Sequence, residues 1–512
     1  METSIPVTKL ETRADSTPWT SSRWFVPALL GLIMVVAVVV RFYDIGGESI
    51  WWDEGFSHRW ATMPWREVIR ETSHEDYNPP LYYLMLNGWV HLFGDSEASM
   101  RVPSAISSAV AVFLTYLIAR QLTSRNVGLF AAGAMAVSSY QIVYAQQARA
   151  YGLLMMCVLG SMYCFLRLMR DWKPLLLAIY VLSTAAMFYT HVYGVFFFGV
   201  QGLALLAIWI RRAPTQFTIK RTIVVSLVLL VMLIPWIMFA ISRGEAAETS
   251  FWIEFPTAKV VAGAFERLAG SIPLVTALGL LCLLAACVLI FSIRKLPQPS
   301  EAVDPINGFT KLGSLTFLFT WFILPHAVPL LVSYALHPIY YHRYTIPMAP
   351  AMYILAGIGL MALRPQPVRI VVCLLVFGLM GSELFHELTK SDNTVAADLA
   401  RYVDATAKPG DMLVFDGHSG GGQNTFDYYS RRTDVSKHMI AWPFEAIDER
   451  YIAELKACAK DHDGVWLITI ASTNKDAKLE KWMKDEFPYI KRWTQPRPVQ
   501  MYAVHFSRTP LP

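Results

Sequence analysis

Apolar residues in this chain come in long unbroken runs, separated by short polar connections. Runs near residues 24–40, 102–119, 127–145, 152–168, 174–190, 193–210, 222–241, 273–293, 312–335, 345–363 and 367–386 approach the roughly 20 residues that a helix needs to cross a bilayer. The pattern predicts an α-helical polytopic membrane protein with about eleven transmembrane helices. The segment Pro79 to Phe93 is also apolar, but it is only about 15 residues long, is interrupted by Asn87 and His91, and opens with two prolines. Such a segment reads as a juxtamembrane helix lying at the interface, inside one long first external loop at 41–101.

From about Ser391 the pattern changes. Residues 394–407 alternate with helical period and stop at Lys408-Pro409-Gly410, while 412–415, 465–470 and 501–506 read as short strands. Polar helical stretches fall near 445–462 and 475–487. The region 391–512 is therefore predicted to be a small α/β domain, following a transmembrane domain at 24–390 and a polar N-terminal tail at 1–23. The run Gly417 to Gly422 reads as a flexible loop after a strand; it has no P-loop lysine, so it signals no nucleotide site.

Composition agrees with the membrane reading. The chain is 54% hydrophobic and 16% charged, where a soluble protein carries about 25% charged residues. Its net charge of +5 is gathered in loops, which fits topology better than nucleic-acid binding. Arg120 and Arg125, then Arg167, Arg170 and Lys173, then Arg211, Arg212, Lys220 and Arg221 mark basic loops, and Arg294, Lys295, Lys311, Arg364 and Arg369 mark two more. All follow even-numbered runs. The positive-inside rule places these loops and the N-terminus in the cytoplasm, and the odd-numbered ends and the C-terminal domain outside it. The residues before Trp24 show no cleavable signal pattern, so the first run reads as a retained anchor. Five cysteines lie in apolar runs and Cys458 stands alone in the polar region, with no metal-binding spacing.

The external ends collect chemistry. Trp51-Trp52-Asp53-Glu54 sets two adjacent carboxylates between tryptophans and an aromatic segment, a partly dry niche in which a carboxylate is a candidate proton acceptor. The same loop holds His58, His74, Glu75, Asp76, Asn78 and Arg101. Later external loops hold Arg149 and Tyr151, His191 and Tyr193, and the run His337 to Tyr344 with His342 and Arg343. Ionisable groups near a bilayer are costly and point to function. Carboxylates can take a proton from a hydroxyl nucleophile, and arginine or histidine can neutralise a departing phosphate.

These residues carry a resemblance to the C-type (GT-C fold) integral-membrane glycosyltransferases, in the branch of the protein O-mannosyltransferases and the lipid A aminoarabinose transferase. The matching elements are Trp-Asp-Glu at 52–54, Asn-Pro-Pro-Leu-Tyr-Tyr at 78–83, Arg-Val-Pro-Ser at 101–104, Gln-Gln-Ala-Arg-Ala-Tyr at 146–151, Thr-His-Val-Tyr-Gly at 190–194 and His-Arg-Tyr-Thr-Ile-Pro at 342–347. The resemblance implies a polyprenyl-phosphate sugar donor and an inverting transfer to an extracytoplasmic glycolipid, envelope glycan or protein. A bacterial inner membrane and an endoplasmic reticulum both satisfy the topology, and the single cysteine of the C-terminal region with no retrieval signal points to the bacterial inner membrane. The resemblance also implies Asp53 as the catalytic base and Glu54 as a supporting carboxylate or as a residue that orients the loop. Arg343, His342 and Tyr344 would hold the donor phosphate, Arg149 and His191 would line the same cavity, and Arg101 would fix the juxtamembrane helix or contact the donor. Asn78-Pro79 departs from the aminoarabinose transferase, which has an acidic–basic pair there. His74-Glu75-Asp76 just upstream is the candidate replacement, at the acceptor or as ligands of a divalent metal. The second external loop also departs, with Arg149-Ala150-Tyr151 where some relatives carry an aspartate.

Two other readings compete. A transporter or flippase of a lipid-linked substrate would need polar groups near the bilayer midplane, whereas here they cluster at the ends of the runs. A non-catalytic envelope assembly protein would bind partners through its C-terminal domain and leave the charge clusters incidental.

Overall fold

The computed structural model describes residues 24–75, 78–242, 253, 255–294, 311–390, 396–416, 421–430, 432–440, 453–454, 456–457, 459–470, 483, 486–493 and 501–511. The amino-terminal tail at 1–23, the loop at 243–252, most of the predicted helices at 445–462 and 475–487, and Cys458 lie outside them.

Helices dominate. In chain order they are Phe25–Phe42 (α1), Trp52–Thr62 (α2), Trp65–Glu75 (α3), Leu81–Phe93 (α4), Glu97–Leu122 (α5), Arg125–Val137 (α6), Ser139–Ala145 (α7), Tyr151–Leu168 (α8), Pro174–Thr190 (α9), Gly194–Ile210 (α10) and Ile219–Ser242 (α11). They continue as Ala258–Ala269 (α12), Ile272–Arg294 (α13), Lys311–Ala335 (α14), a 3-10 turn at His342–Met348, Ala349–Ala362 (α15) and Gln366–Thr389 (α16). Among the described residues eight segments are long and apolar enough to cross a membrane, and a ninth is the bent pair α6–α7, which turns by 57°. The other two expected runs, α9 and α10, are apolar helices of 17 residues each, about 26 Å long and just short of a bilayer core.

Burial sorts these helices. The small and medium side chains of α5, α8 and α15 fill the centre, with Ala105, Ala111, Leu154, Leu159, Ala351 and Leu355 buried. Helices α1, α11 and α16 instead expose Leu32, Val35, Leu227, Val231, Leu374 and Leu375 outward. In a membrane that outer face meets lipid tails, so packing of small residues, rather than apolar burial, drives the helices together.

The bend at Ser138 explains a charge in the first span. A helix end leaves its last carbonyls without intrahelical donors. Arg41, fully buried near the end of α1, donates through Nη1 to the Ala136 carbonyl at 3.1 Å and through Nη2 to the Met135 carbonyl at 3.0 Å. Its Nε reaches Ser108 Oγ at 2.9 Å, tying α1, α5 and α6 together.

The C-terminal region is the expected α/β unit. Helix Ala396–Thr406 (α17) precedes strand Met412–Asp416 (β1), helix Gly421–Tyr429 (α18) and strands Ser436–Ile440 (β2), Gly464–Ile470 (β3), Tyr489–Trp493 (β4) and Met501–Ser507 (β5). The sheet order is β2-β1-β3-β5-β4. β1 runs parallel to β2 and β3, while β5 is antiparallel to β3 and β4. The sequence pattern misses β2 and β4, the two edge strands, each only five residues long and carrying charged residues. It also misreads the end of the glycine run: residues 417–420 lie outside the described residues, but Gly421 and Gly422 open α18. A Cβ at Gly422 would come within 3.3 Å of the Trp52 ring, so the glycine lets this helix approach α2 closely.

Candidate active site

Helix α2 presents the acidic pair. Trp51 caps its start, and the Glu54 side chain turns back to accept the Trp51 N–H at 3.2 Å. Successive residues on a helix point about 100° apart, so Asp53 and Glu54 cannot face the same way. The structure shows this divergence.

Glu54 turns inward and is fully buried. Its Oε1 accepts from Arg101 Nε at 2.9 Å and from the Ala148 N–H at 2.7 Å, and its Oε2 accepts from Arg101 Nη2 at 2.8 Å. Arg101 also donates to the carbonyls of Ile45 (2.9 Å), Glu48 (3.0 Å) and Ser49 (3.1 Å). A guanidinium has five N–H groups, and each of these five contacts uses one. Arg101 therefore has no proton left for a phosphate, so of the two roles expected of it the geometry fits the structural one and not contact with the donor. Together with Glu54 it forms a buried clamp that fixes loop 45–54 to α5 and to the 146–150 loop.

Asp53 points the other way, into the space between the loops at 146–150 and 337–344, with 27% of its side chain exposed against none for Glu54. Arg343 Nη1 donates to Asp53 Oδ2 at 2.6 Å. Arg149 Nε lies 3.9 Å from the same oxygen, and its Nη1 donates to the Asp53 carbonyl at 3.1 Å. Two cations thus converge on one carboxylate from sequence positions far apart. Aromatic faces hold them: Arg343 lies over Trp51 (5.6 Å) and Tyr341 (4.9 Å), and Arg149 over Tyr83 (5.9 Å). The backbone of Arg149 is fixed by Ser104, whose hydroxyl donates to its carbonyl at 3.0 Å and pairs with Tyr82 Oη at 3.0 Å.

His191 sits behind this group, 1% exposed, edge-on to Tyr344 at 4.6 Å. Its Nδ1 accepts the Tyr193 N–H at 3.1 Å, so the ring proton resides on Nε2, which is buried without a hydrogen-bond partner. Burial first, then the charges of Arg149 and Arg343, push its pKa down to about 3. The ring is neutral at physiological pH and offers one N–H donor beside two arginines.

His342 opens the 3-10 turn. Its carbonyl accepts from Tyr140 Oη at 3.1 Å, and its Nε2 lies 3.2 Å from Arg267 Nη1. Sequence reasoning did not single out Arg267. It stands on α12, a short amphipathic helix packed against the 342–348 turn, and only the charge itself marked it. Of the other candidates, Asp76 and the side chains of His74 and Glu75 lie outside the described residues. Among the described residues no group of three His, Cys, Asp or Glu side chains is arranged to hold a metal ion.

The site is thus a half-exposed carboxylate faced by two arginines, a neutral buried histidine donor and a tyrosine-rich wall, with a third arginine behind His342. Residues 77–239 match the sequence profile of a family described as dolichyl-phosphate-mannose-protein mannosyltransferase. That match takes in Arg101, Arg149 and His191 but not Asp53 or Arg343. No curated protein sequence matches the chain significantly. Among solved structures, ArnT from Cupriavidus metallidurans in the apo state is similar at 15% identity and a TM-score of 0.58, over 94% of this chain and 98% of that one. The same protein bound to undecaprenyl phosphate gives 15% identity and a TM-score of 0.57, over 93% and 98%. The Archaeoglobus fulgidus oligosaccharyltransferase, in complex with zinc and sulfate, gives 10% identity and a TM-score of 0.56, over 87% of this chain and 68% of that one. The chain has the fold of the C-type membrane glycosyltransferases.

Proposed function

We propose that this protein is a multi-pass membrane glycosyltransferase that moves a monosaccharide from a polyprenyl-phosphate donor to an acceptor outside the cytoplasm, with Asp53 as the base. The convergence of Arg343 and Arg149 on Asp53 carries the reading. Transfer from a sugar phosphodiester needs three things: a positioned acceptor hydroxyl, a group to take its proton, and cations where negative charge grows on the leaving phosphate. Asp53 takes the proton as the acceptor oxygen attacks the anomeric carbon. The bond from that carbon to the phosphate oxygen breaks, its electron pair stays on the phosphate, and the configuration inverts. Arg343 and Arg149 face the phosphate, and the His191 Nε2–H and Arg267 lie close by to add to that charge.

The ion pair between Asp53 and Arg343 is then the resting arrangement. A donor phosphate competes for the same guanidinium, and its arrival frees a carboxylate oxygen for the acceptor. Sugar and prenyl groups find aromatic surface on Trp51, Tyr83, Tyr341 and Tyr344. The undecaprenyl phosphate bound by the similar ArnT structure supports a lipid phosphate as the donor class. The positive-inside pattern supports placing the site on the outer face of the membrane, and the single cysteine of the C-terminal region favours a bacterial inner membrane.

Purified protein incubated with a panel of radiolabelled prenyl-phosphate sugars and envelope extracts tests the reading. Label should move from a prenyl-phosphate sugar to an acceptor without any nucleotide. Transfer from nucleotide sugars alone, or ATP-independent movement of intact lipid-linked sugar across vesicles without transfer, would refute it.

A further inference from the structure

Helix α18 of the C-terminal domain lies directly on α2. One of its stripes faces that helix at positions 422, 425 and 429, spaced three and four residues apart as a helix face requires. Gly422 abuts the Trp52 ring. Thr425 meets Gly55 so closely that a Cβ at residue 55 would fall 2.7 Å from the Thr425 backbone nitrogen. Tyr429 Oη accepts the Ile50 N–H at 2.8 Å and donates to Glu97 Oε1 at 3.1 Å. Next to it, Tyr428 donates to the Asp95 carbonyl at 3.1 Å and packs edge-on against His58 at 4.7 Å, while His58 Nε2 pairs with Asp95 Oδ2 at 3.0 Å.

The other face of α18 is anchored in its own domain. Phe426 is fully buried against Phe415 of β1, and the adjoining Ser430 hydroxyl donates to Asp404 Oδ1 at 2.7 Å. A rigid unit is therefore latched to the loop that carries the base. The latch acts three residues before Asp53, at Ile50, and two residues after it, at Gly55. From the opposite side the Arg101–Glu54 clamp grips the same turn. Held on both sides, the first turn of α2 has one position relative to Arg149 and Arg343.

We infer that the C-terminal domain is a working part of the active site, and that Tyr429 is a positioning residue acting through Ile50 and α2 to set the Asp53 carboxylate. This rests on Asp53 as the base. A base displaced by about 1 Å can lose up to roughly a hundredfold in rate.

The test compares Tyr429→Phe, which keeps the ring and loses the hydroxyl, with Gly55→Ala, which wedges α18 off α2, in the full-length protein. Turnover uses the prenyl-phosphate sugar that the donor panel identifies. Undecaprenyl phosphate in detergent micelles serves as the binding probe, and the thermal melting point of each variant is recorded. The inference expects kcat to fall at least about tenfold in both variants, with donor KM and undecaprenyl phosphate binding within about twofold of the parent. It expects amide exchange at Ile50 to quicken in Tyr429→Phe. Unchanged kcat in Tyr429→Phe with faster exchange at Ile50 would overturn it. So would a loss of activity that only tracks a lowered melting point and is abolished at a temperature where the variant is folded. Full turnover by Asp53→Asn would instead refute the choice of base, a separate outcome from failure of the latch.

Discussion

Two neighbouring carboxylates do different work because a helix turns them apart. Glu54 is buried in a bidentate pair with Arg101, so removing one partner leaves a charge without compensation, at a cost of about 3–5 kcal/mol. Glu54→Gln should lower the melting point in detergent markedly, and it should do so in the absence of any substrate. A melting point unchanged from the parent would contradict the clamp. His191 gives a pH-dependent counterpart. Its pKa falls to about 3 in the folded protein from an ordinary value near 6.5, so the unfolded chain binds the extra proton first. Its contribution to stability is complete above about pH 6.5 and is lost as pH falls from there towards 3. His191→Phe should flatten that part of the stability profile, measured as melting point against pH. Arg149, His191 and Arg343 could be picked from sequence as polar groups near the ends of apolar runs, and Asp53 as half of an acidic pair beside two tryptophans. That Glu54 and Arg101 consume one another could not be, because it depends on the 100° between adjacent helical residues and on carbonyls of residues 45–49.

At the scale of elements, the bend between α6 and α7 is the feature that hydropathy hides. The apolar run 127–145 reads as one span, and the eye passes over Ser138. The structure breaks it there and supplies Arg41 to the freed carbonyls of Met135 and Ala136. Arg41 thus looks like a loop residue in the sequence and is a buried cap in the fold. Arg41→Met should leave those two carbonyls without donors, at about 1–3 kcal/mol each, and reduce the yield of folded protein from membranes. Parent-like melting and yield would show that the break satisfies itself. Arg267 was missed for a related reason. Its helix is short and amphipathic, and nothing in its local spacing announces that it packs against the 342–348 turn. Helix α4 could be read as a separate short helix because length, Asn87 and the paired prolines all argued the same way, and it is 13 residues long. Asn87 proves to donate to the Ala61 and Met63 carbonyls at 2.8 and 2.7 Å, which ties α4 to the end of α2.

The whole molecule is a helical membrane body with an α/β domain latched over its acidic loop. Fold class followed from periodicity, because a bilayer demands long apolar helices and a small sheet demands short alternating strands. Contact between the two parts did not, since it rests on glycines and hydroxyls on α18 that no periodic pattern marks. The proposed orientation makes a prediction at this scale. A cysteine placed at exposed Asp461 should react with an impermeant maleimide on intact cells, while one at exposed Gln216 should react only after the membrane is opened. The reverse pattern would put Asp53 on the wrong side of the membrane.

Asp53→Asn tests the account most directly. The amide keeps the size of the side chain and cannot accept the acceptor's proton, and the surrounding arginines stay in place. The measurement is initial-rate transfer from the prenyl-phosphate sugar, alongside undecaprenyl phosphate binding to the same sample. The account predicts transfer reduced by at least about a hundredfold with lipid-phosphate binding retained. Transfer at the parent rate would contradict it.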